Sequence, residues 1–280
     1  MPSRRTRVFC GTELSHSEYL TSRSARPMIN LPTTIDSWRS FFYRRFAPLI
    51  TCEIRLAGNH PLQLDNKFQV NSLQDVFCHP FYWQVHALLD RAPRLVIDLG
   101  AHCGHFSMLA DLCIQMRFGE VRPEYVLVEP NPELVPVIRR NLLKSGLCSH
   151  HTIKEGLVGN RSGKATLWVS RSNYLSASLR REPSTRGVPA DYFDLEQLVG
   201  GRPIDLLKVD IEGAEYDFIE NYPKLLERVQ KLMIEIHAAP ESQQTRLQDC
   251  LYRAGLRLRG SVMDHGGYQL AAFERDNPAL

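Results

Sequence analysis

Long apolar runs are missing from these 280 residues, and none approaches the length that would cross a bilayer. No Lys/Arg block dominates the body of the chain either: 34 basic residues against 31 acidic ones leave a formal charge of only +3. Charge therefore gives no reason to expect a nucleic-acid partner. The seven cysteines (Cys10, Cys52, Cys78, Cys103, Cys113, Cys148, Cys250) are scattered, odd in number and without a CxxC pair. They suit reduced thiols better than a disulfide framework, and structural zinc lacks its paired ligands. No apolar segment stands beside a cleavage site near the start, so a cytoplasmic location is expected rather than export. The glycine pattern GxGxxG is absent as well, which opposes a nicotinamide dehydrogenase.

What is present falls into three parts. Residues 1–30 scatter Arg among Ser and Thr and read as a loose, solvated terminus, with organelle targeting weakened by Glu13 and Glu18. Residues 31–92 read as an amino-terminal extension. It opens with an aromatic and basic segment, IDSWRSFFYRRF, expected as an amphipathic helix over 31–47. A hairpin of CEIRLAG and NKFQVNS about Gly58-Asn59-His60-Pro61 follows, then a helix over HPFYWQVHALLDR. Residues 93–280 alternate strand and helix. RLVID, EYVLVEP, HTIKEGLV, PIDLLKVD and VQKLMIEIH read as strands, with KATLWVS as an edge hairpin and DYFDLEQLVGG as a short helix. The polar run 171–189 has no evident period. Alternation of this kind predicts an α/β domain with a mostly parallel sheet. The closing pair, GLRLRGSV and YQLAAFE, is joined by too few residues for a crossover, so its last strand must be antiparallel.

Ligands of open α/β sheets bind at the carboxyl ends of the strands, and those ends carry the informative residues. Asp98-Leu99-Gly100-Ala101-His102-Cys103-Gly104 gives a tight turn that lets backbone approach a ligand. Glu129, ending the next strand before Pro130 and Asn131, can accept both hydroxyls of a ribose. DLLKVDIEGAE is the odd one, because a strand buried on both faces should be apolar. Its Asp210 falls at the strand's end with Gly213 allowing a sharp turn, so the charges project into a cleft, unless Lys208 and a carboxylate form a structural pair. Glu235 and His237 end a further strand and share a face.

IDLGAHCGHFS, VEPNP, DLLKVDIEGAE and MIEIH, in this order, resemble the FkbM family of S-adenosylmethionine-dependent methyltransferases, over about 71–273. The resemblance implies the class I methyltransferase (Rossmann-like) sheet of order 3-2-1-4-5-7-6 with an antiparallel last strand. It also implies S-adenosyl-L-methionine as cofactor and O-methylation of a sugar, glycan or natural-product hydroxyl. Cofactor contacts are then expected from Asp98, Gly100, His102, Gly104, His105 and Phe106, from Glu129, Pro130 and Asn131, from Glu155, Gly156 and Leu157, and from Asp210. The family usually has Asn where this chain has His102, which makes cofactor affinity depend on the charge of an imidazole.

A hydroxyl is a poor nucleophile until a base takes its proton or a metal lowers its pKa. His237 is the expected base, with Asp210 orienting and Glu212 and Glu235 as further acceptors. A set of Asp210, Glu235 and His237 could instead hold magnesium or manganese. The acceptor pocket is expected to take walls from 171–189 and the extension, with Asp264 and His265 of the last turn at its border. Two rivals stand beside this reading. A nucleic-acid methyltransferase would share the fold, but the Asp/Asn/Ser-Pro-Pro-Phe/Tyr signature of amino-group enzymes is absent. A binding module without turnover is the other.

Overall fold

The computed structural model describes residues 51–160, 163–171, 177–179, 181–263 and 268–276. The expected helix over 31–47 and the terminus 1–30 lie outside them, as do Asp264 and His265. No helix among the described residues is long and apolar enough to cross a membrane.

The first described elements form a hairpin, with β1 (Cys52–Leu56) antiparallel to β2 (His60–Leu64). Its second arm is HPLQL; the expected arm NKFQVNS instead opens helix α1 (Lys67–Phe77). Asn66 decides the matter, since its side chain accepts the amides of Phe68 and Gln69 and starts the helix there. Gln69, Leu73 and Phe77 then fall on one buried face at helical spacing. The long helix expected over HPFYWQVHALLDR is only a 3-10 turn, Tyr82–Gln84, and one turn of helix, α2 (Val85–Leu88).

Among the described residues eleven further strands and six further helices follow, and seven of those strands make the main sheet. In chain order these are β3 (Leu95–Leu99), α3 (His105–Phe118), β4 (Glu124–Glu129), α4 (Val135–Ser145) and β5 (His150–Glu155). The small strands β6 (Leu157–Val158), β7 (Lys164–Ser170), β8 (Ala177–Ser178) and β9 (Thr185–Phe193) come next, then α5 (Leu195–Val199) and β10 (Ile204–Val209). Helices α6 (Glu215–Asn221) and α7 (Pro223–Leu226), β11 (Val229–Ile236), α8 (Glu241–Arg253), β12 (Leu256–Met263) and β13 (Gln269–Arg275) complete the chain.

The main sheet has the order β12-β13-β11-β10-β3-β4-β5. Its pairs are parallel except those of β13, which runs antiparallel to both β11 and β12. This is the class I methyltransferase arrangement. Strands β3 and β10 are buried at every position, as central parallel strands should be. One face packs on α3 together with the hairpin and α1, through Leu62, Leu64, Leu73, Phe77 and Leu109. The other packs on α6, α7 and α8, through Phe218, Leu225, Leu247 and Leu251.

The stretch HTIKEGLV is not one strand. It breaks at Gly156, where φ is 140° and an added Cβ would lie 2.7 Å from Asp191 O. Beyond the break β6 pairs with β9 in a second sheet of order β6-β9-β7-β8. That sheet also absorbs the end of the polar run, since β9 begins at Thr185, and the DYF expected to open a helix closes β9 instead. Asp194 then caps the shorter α5, accepting the Glu196 amide.

Candidate active site

The ends of β3, β4, β10 and β11 meet on one edge of the sheet. Gly100, at φ 73°, is pressed so close to the end of β10 that a Cβ there would lie 1.7 Å from Asp210 O. Only glycine allows this approach. His102 follows in the left-handed region, φ 53°, a conformation for which Asn and His are among the enriched side-chain-bearing residues. Its amide donates to Glu129 Oε2 at 2.7 Å, while the Asn131 amide donates to Glu129 Oε1 at 2.9 Å. Burial pushes the Glu129 carboxyl up to about 7, against the two amides that favour its charge.

Two cavities open at this edge. One, of about 390 Å³, is walled by Glu129, Pro130, Leu157, Tyr192 and Phe218. The other, of about 550 Å³, is walled by Tyr82, Phe106, Lys208, Glu235, His237 and Tyr268. Gly100, His102, Asp210 and Glu212 line both and so form a seam between them.

The charges of DLLKVDIEGAE now have separate explanations. Asp205, at the far end of β10, accepts the amides of Arg94 and Leu95 and anchors the start of β3. Lys208 is buried beneath the seam. Its Nζ donates to Gly100 O at 2.8 Å and lies 3.1 Å from Asp210 Oδ2 and 3.4 Å from Asp98 Oδ1. Burial opposes its charge, but Asp210 and Asp98 outweigh that and raise its pKa. Glu215, fully buried at the head of α6, accepts the amides of Ile211 and Gly213 at 3.1 and 3.0 Å. It also meets His237 Nδ1 at 3.2 Å. On the other side of that ring, Nε2 is 3.6 Å from Glu235 and 3.7 Å from Glu212. The Glu215 hydrogen bond, opposed by burial and helped by the other carboxylates, pushes His237 up to about 9. Burial, with Asp210 nearby, raises Glu235 as well.

Residues 98–268, more than half of the chain, match the Methyltransferase FkbM domain. The chain belongs to the FkbM methyltransferase family. A curated protein of Jannaschia sp. (strain CCS1), named provisionally as a methyltransferase, is 23% identical over 199 residues. That match takes in 66% of this chain and 64% of the relative, so the FkbM chain spans less than two thirds of the relative's length. Three solved structures are similar at a TM-score of 0.44. An O-methyltransferase from Bacillus cereus in complex with S-adenosylhomocysteine is 11% identical over 74% of this chain and 88% of its own. An O-methyltransferase family protein from Burkholderia thailandensis is 13% identical over 76% and 60%. A protein from Pyrococcus horikoshii, described provisionally as an RNA methyltransferase, is 15% identical over 75% and 84%. Likeness at this level does not bear on the acceptor.

Within the FkbM chain the residues expected at the cofactor separate into groups. Gly100, His102, Glu129, Pro130, Gly156, Leu157 and Asp210 line the first cavity. His105 and Phe106 line the second. Asp98, Gly104, Asn131 and Glu155 line neither. The Asp98 carboxylate is turned inward to Lys208 and to Ser107 Oγ, which donates to it at 2.7 Å. Gly104, at φ 79°, heads α3 with Ile138 3.4 Å from where its Cβ would be. Asn131 accepts the Glu133 amide and shapes the turn after β4. Glu155 is exposed at the end of β5.

Two expectations meet other contacts in the structure. His237 lies among three carboxylates, Glu215, Glu235 and Glu212, which favour its protonated form. Asp210, Glu235 and His237 do not form a metal set: Lys208 occupies Asp210 and Glu215 occupies Nδ1 of the ring. No group of three His, Cys, Asp or Glu among the described residues is disposed to hold a metal. The sequence reading also missed Glu215, Ser72, Tyr82 and Tyr268. Glu215 carried a signal, an acid at the first position of a helix, where amides and dipole favour it. The other three join the site only through tertiary contact.

Proposed function

We propose that the protein transfers a methyl group from S-adenosylmethionine to a hydroxyl of a sugar, glycan or natural product, with no nucleic-acid partner. The observation that carries this is the seam, where a cavity with apolar walls beside Glu129 and an acid-lined cavity share Gly100, His102, Asp210 and Glu212. The residues fit such a donor. Glu129 is a carboxylate fixed by two amides on the wall of the first cavity, suited to paired ribose hydroxyls. Leu157, Tyr192 and Phe218 offer an apolar surface for a base. No phosphate cradle is present in this loop, and an adenosine without pyrophosphate needs none.

S-adenosylmethionine supplies, when bound, an electrophilic methyl on a positively charged sulfur. The chain's own part is to align two ligands across the seam, since in-line displacement depends on positioning. Lys208 ties the β3 and β10 turns together and fixes the distance between the cavities. The proton of the acceptor hydroxyl passes to a carboxylate, Glu235 or Glu212, of the pair that flanks His237 Nε2. Asp210 orients the acceptor.

Labelled-methyl transfer to a panel of sugars, glycans, hydroxylated small molecules and RNA tests the reading, with EDTA and magnesium or manganese as added arms. Label on hydroxyl acceptors is expected. Label confined to RNA overturns the acceptor class, and recovery of EDTA-lost activity by magnesium or manganese restores the metal route.

A further inference from the structure

Ser72, on α1 and outside the matched domain, has its Oγ 2.8 Å from His102 Nδ1 and 2.9 Å from His105 Nδ1. A hydroxyl has one proton to give. It can donate to one ring while accepting from the other, which leaves the two Nδ1 atoms in opposite states; the Cys103 thiol and the Ser72 carbonyl are further partners here. His105 is 1% exposed, and burial, with His102 adding to it, drives its pKa down to about 3, so it stays neutral. Its Nε2 is buried without a partner, on a side chain that lines the second cavity. A proton gained by this trio consequently goes to His102, which lines both cavities.

Charge gives that proton a purpose. The groups around His102 are Glu129 from the end of β4, Cys103 from its own turn, His105 at the start of α3, Lys208 from β10 with Asp210 just beyond it, and Asp75 on α1, with Arg140 and Asp65 beyond Cys103. Lys208 is already committed to Asp98, Asp210 and Gly100 O. An anionic part of a ligand lying along this seam meets carboxylates unless His102 is charged. With His102 a cation, its Nδ1–H donates to Ser72, Ser72 donates to His105 Nδ1, and the proton of His105 sits on Nε2. All three groups then point their donors one way.

We propose that Ser72, His102 and His105 form a relay that binds the amino-acid carboxylate of the cofactor and takes up a proton from solvent as it does so. Ser72 is the positioning residue that stabilises His102 as a cation. The proposal rests on the methyltransferase reading above. It also gives His102 a role that Asn, usual for the family at this position, fills without titrating.

The test is calorimetric titration of the full chain with S-adenosylhomocysteine at mildly alkaline pH, in buffers of low and high ionisation heat. The slope of observed heat against buffer heat counts protons taken up. The wild type is expected to take up a fraction of a proton more than His102→Asn. Ser72→Ala is expected to fall toward the His102→Asn count and to bind about tenfold more weakly, the size of one lost hydrogen bond to a charged group. Ser72→Thr should restore both. Equal proton counts in the wild type and His102→Asn overturn the relay, as does a Ser72→Ala variant indistinguishable from the wild type. Wild-type protein that binds no S-adenosylhomocysteine overturns the methyltransferase reading and the relay with it.

Discussion

Lys208→Met is the most direct probe of the charge beneath the seam. The substitution keeps the length of the side chain and removes its ammonium. Lys208 is 7% exposed and Asp98 only 1%, so nothing from solvent replaces the lost partner. The Asp98 carboxylate keeps one hydrogen bond, from Ser107, and its burial already raises its pKa. Stranding one member of a buried pair costs about 3–5 kcal/mol. For a chain of this size that is a fall of roughly 10 °C in melting temperature. Asp210 is 25% exposed and can recruit water, so most of the penalty lies with Asp98. Adding Asp98→Asn removes the stranded charge while keeping a partner for Ser107, and should recover about 1–3 kcal/mol. Urea unfolding of the four proteins in a double-mutant cycle reads the coupling. A Lys208→Met variant within about 1 kcal/mol of the wild type, with no recovery from Asp98→Asn, would refute the argument, because exposed pairs contribute no more than that.

Three further outcomes follow from the same geometry. Glu129→Gln should weaken S-adenosylhomocysteine binding by about 1.5–3 kcal/mol through loss of a charged acceptor; unchanged affinity by calorimetry in a folded variant removes Glu129 from the donor site. Gly100→Ala places a methyl 1.7 Å from Asp210 O and should yield little folded protein or none that binds the cofactor product, so a well-folded, fully binding variant contradicts the packing. His237 has a folded-state pKa of about 9 against an ordinary value near 6.5. Because the folded value is the higher one, the stabilisation it brings is complete below about pH 6.5 and lost as pH rises through about 9. The stability gap between the wild type and His237→Gln should shrink over that window, and a gap that widens with pH would reverse the assignment.

Most of the sheet was legible because β3, β4, β10 and β11 are short apolar runs ending in polar residues, and their order in the chain is the order of the folding pattern. The antiparallel last strand was legible from a turn too short for a crossover. First-cavity residues such as Glu129 and Gly100 were legible for the same reason, since one ends a strand and the other follows one directly. Local ambiguity hid other features. KFQVN alternates well enough for a strand, and only the Asn66 cap makes it helical. Strand β9 has polar residues on both faces and so lacks the alternation that marks a half-buried strand. The inward turn of Asp98 was hidden because its partner, Lys208, is 110 residues away along the chain and meets it only through strand pairing, where Lys208 lies opposite Asp98. Glu215 as the partner of His237 was hidden in the same way.

The two walls of the first cavity belong to different parts of the fold. One is made of the ends of β3, β4 and β10, whose buried residues also hold the main sheet together, so most changes there are paid for in folding. The facing wall comes from Leu167, Ala177, Leu179 and Tyr192 of the small sheet region, which packs around its own cluster of Leu157, Leu167, Val169 and Ala190. A substitution on that side alters the shape of the cavity without reaching the main core. Substitution should therefore cost less stability on the small-sheet side than at the strand ends, and comparison of family members should find fast and slow positions facing each other across a single space.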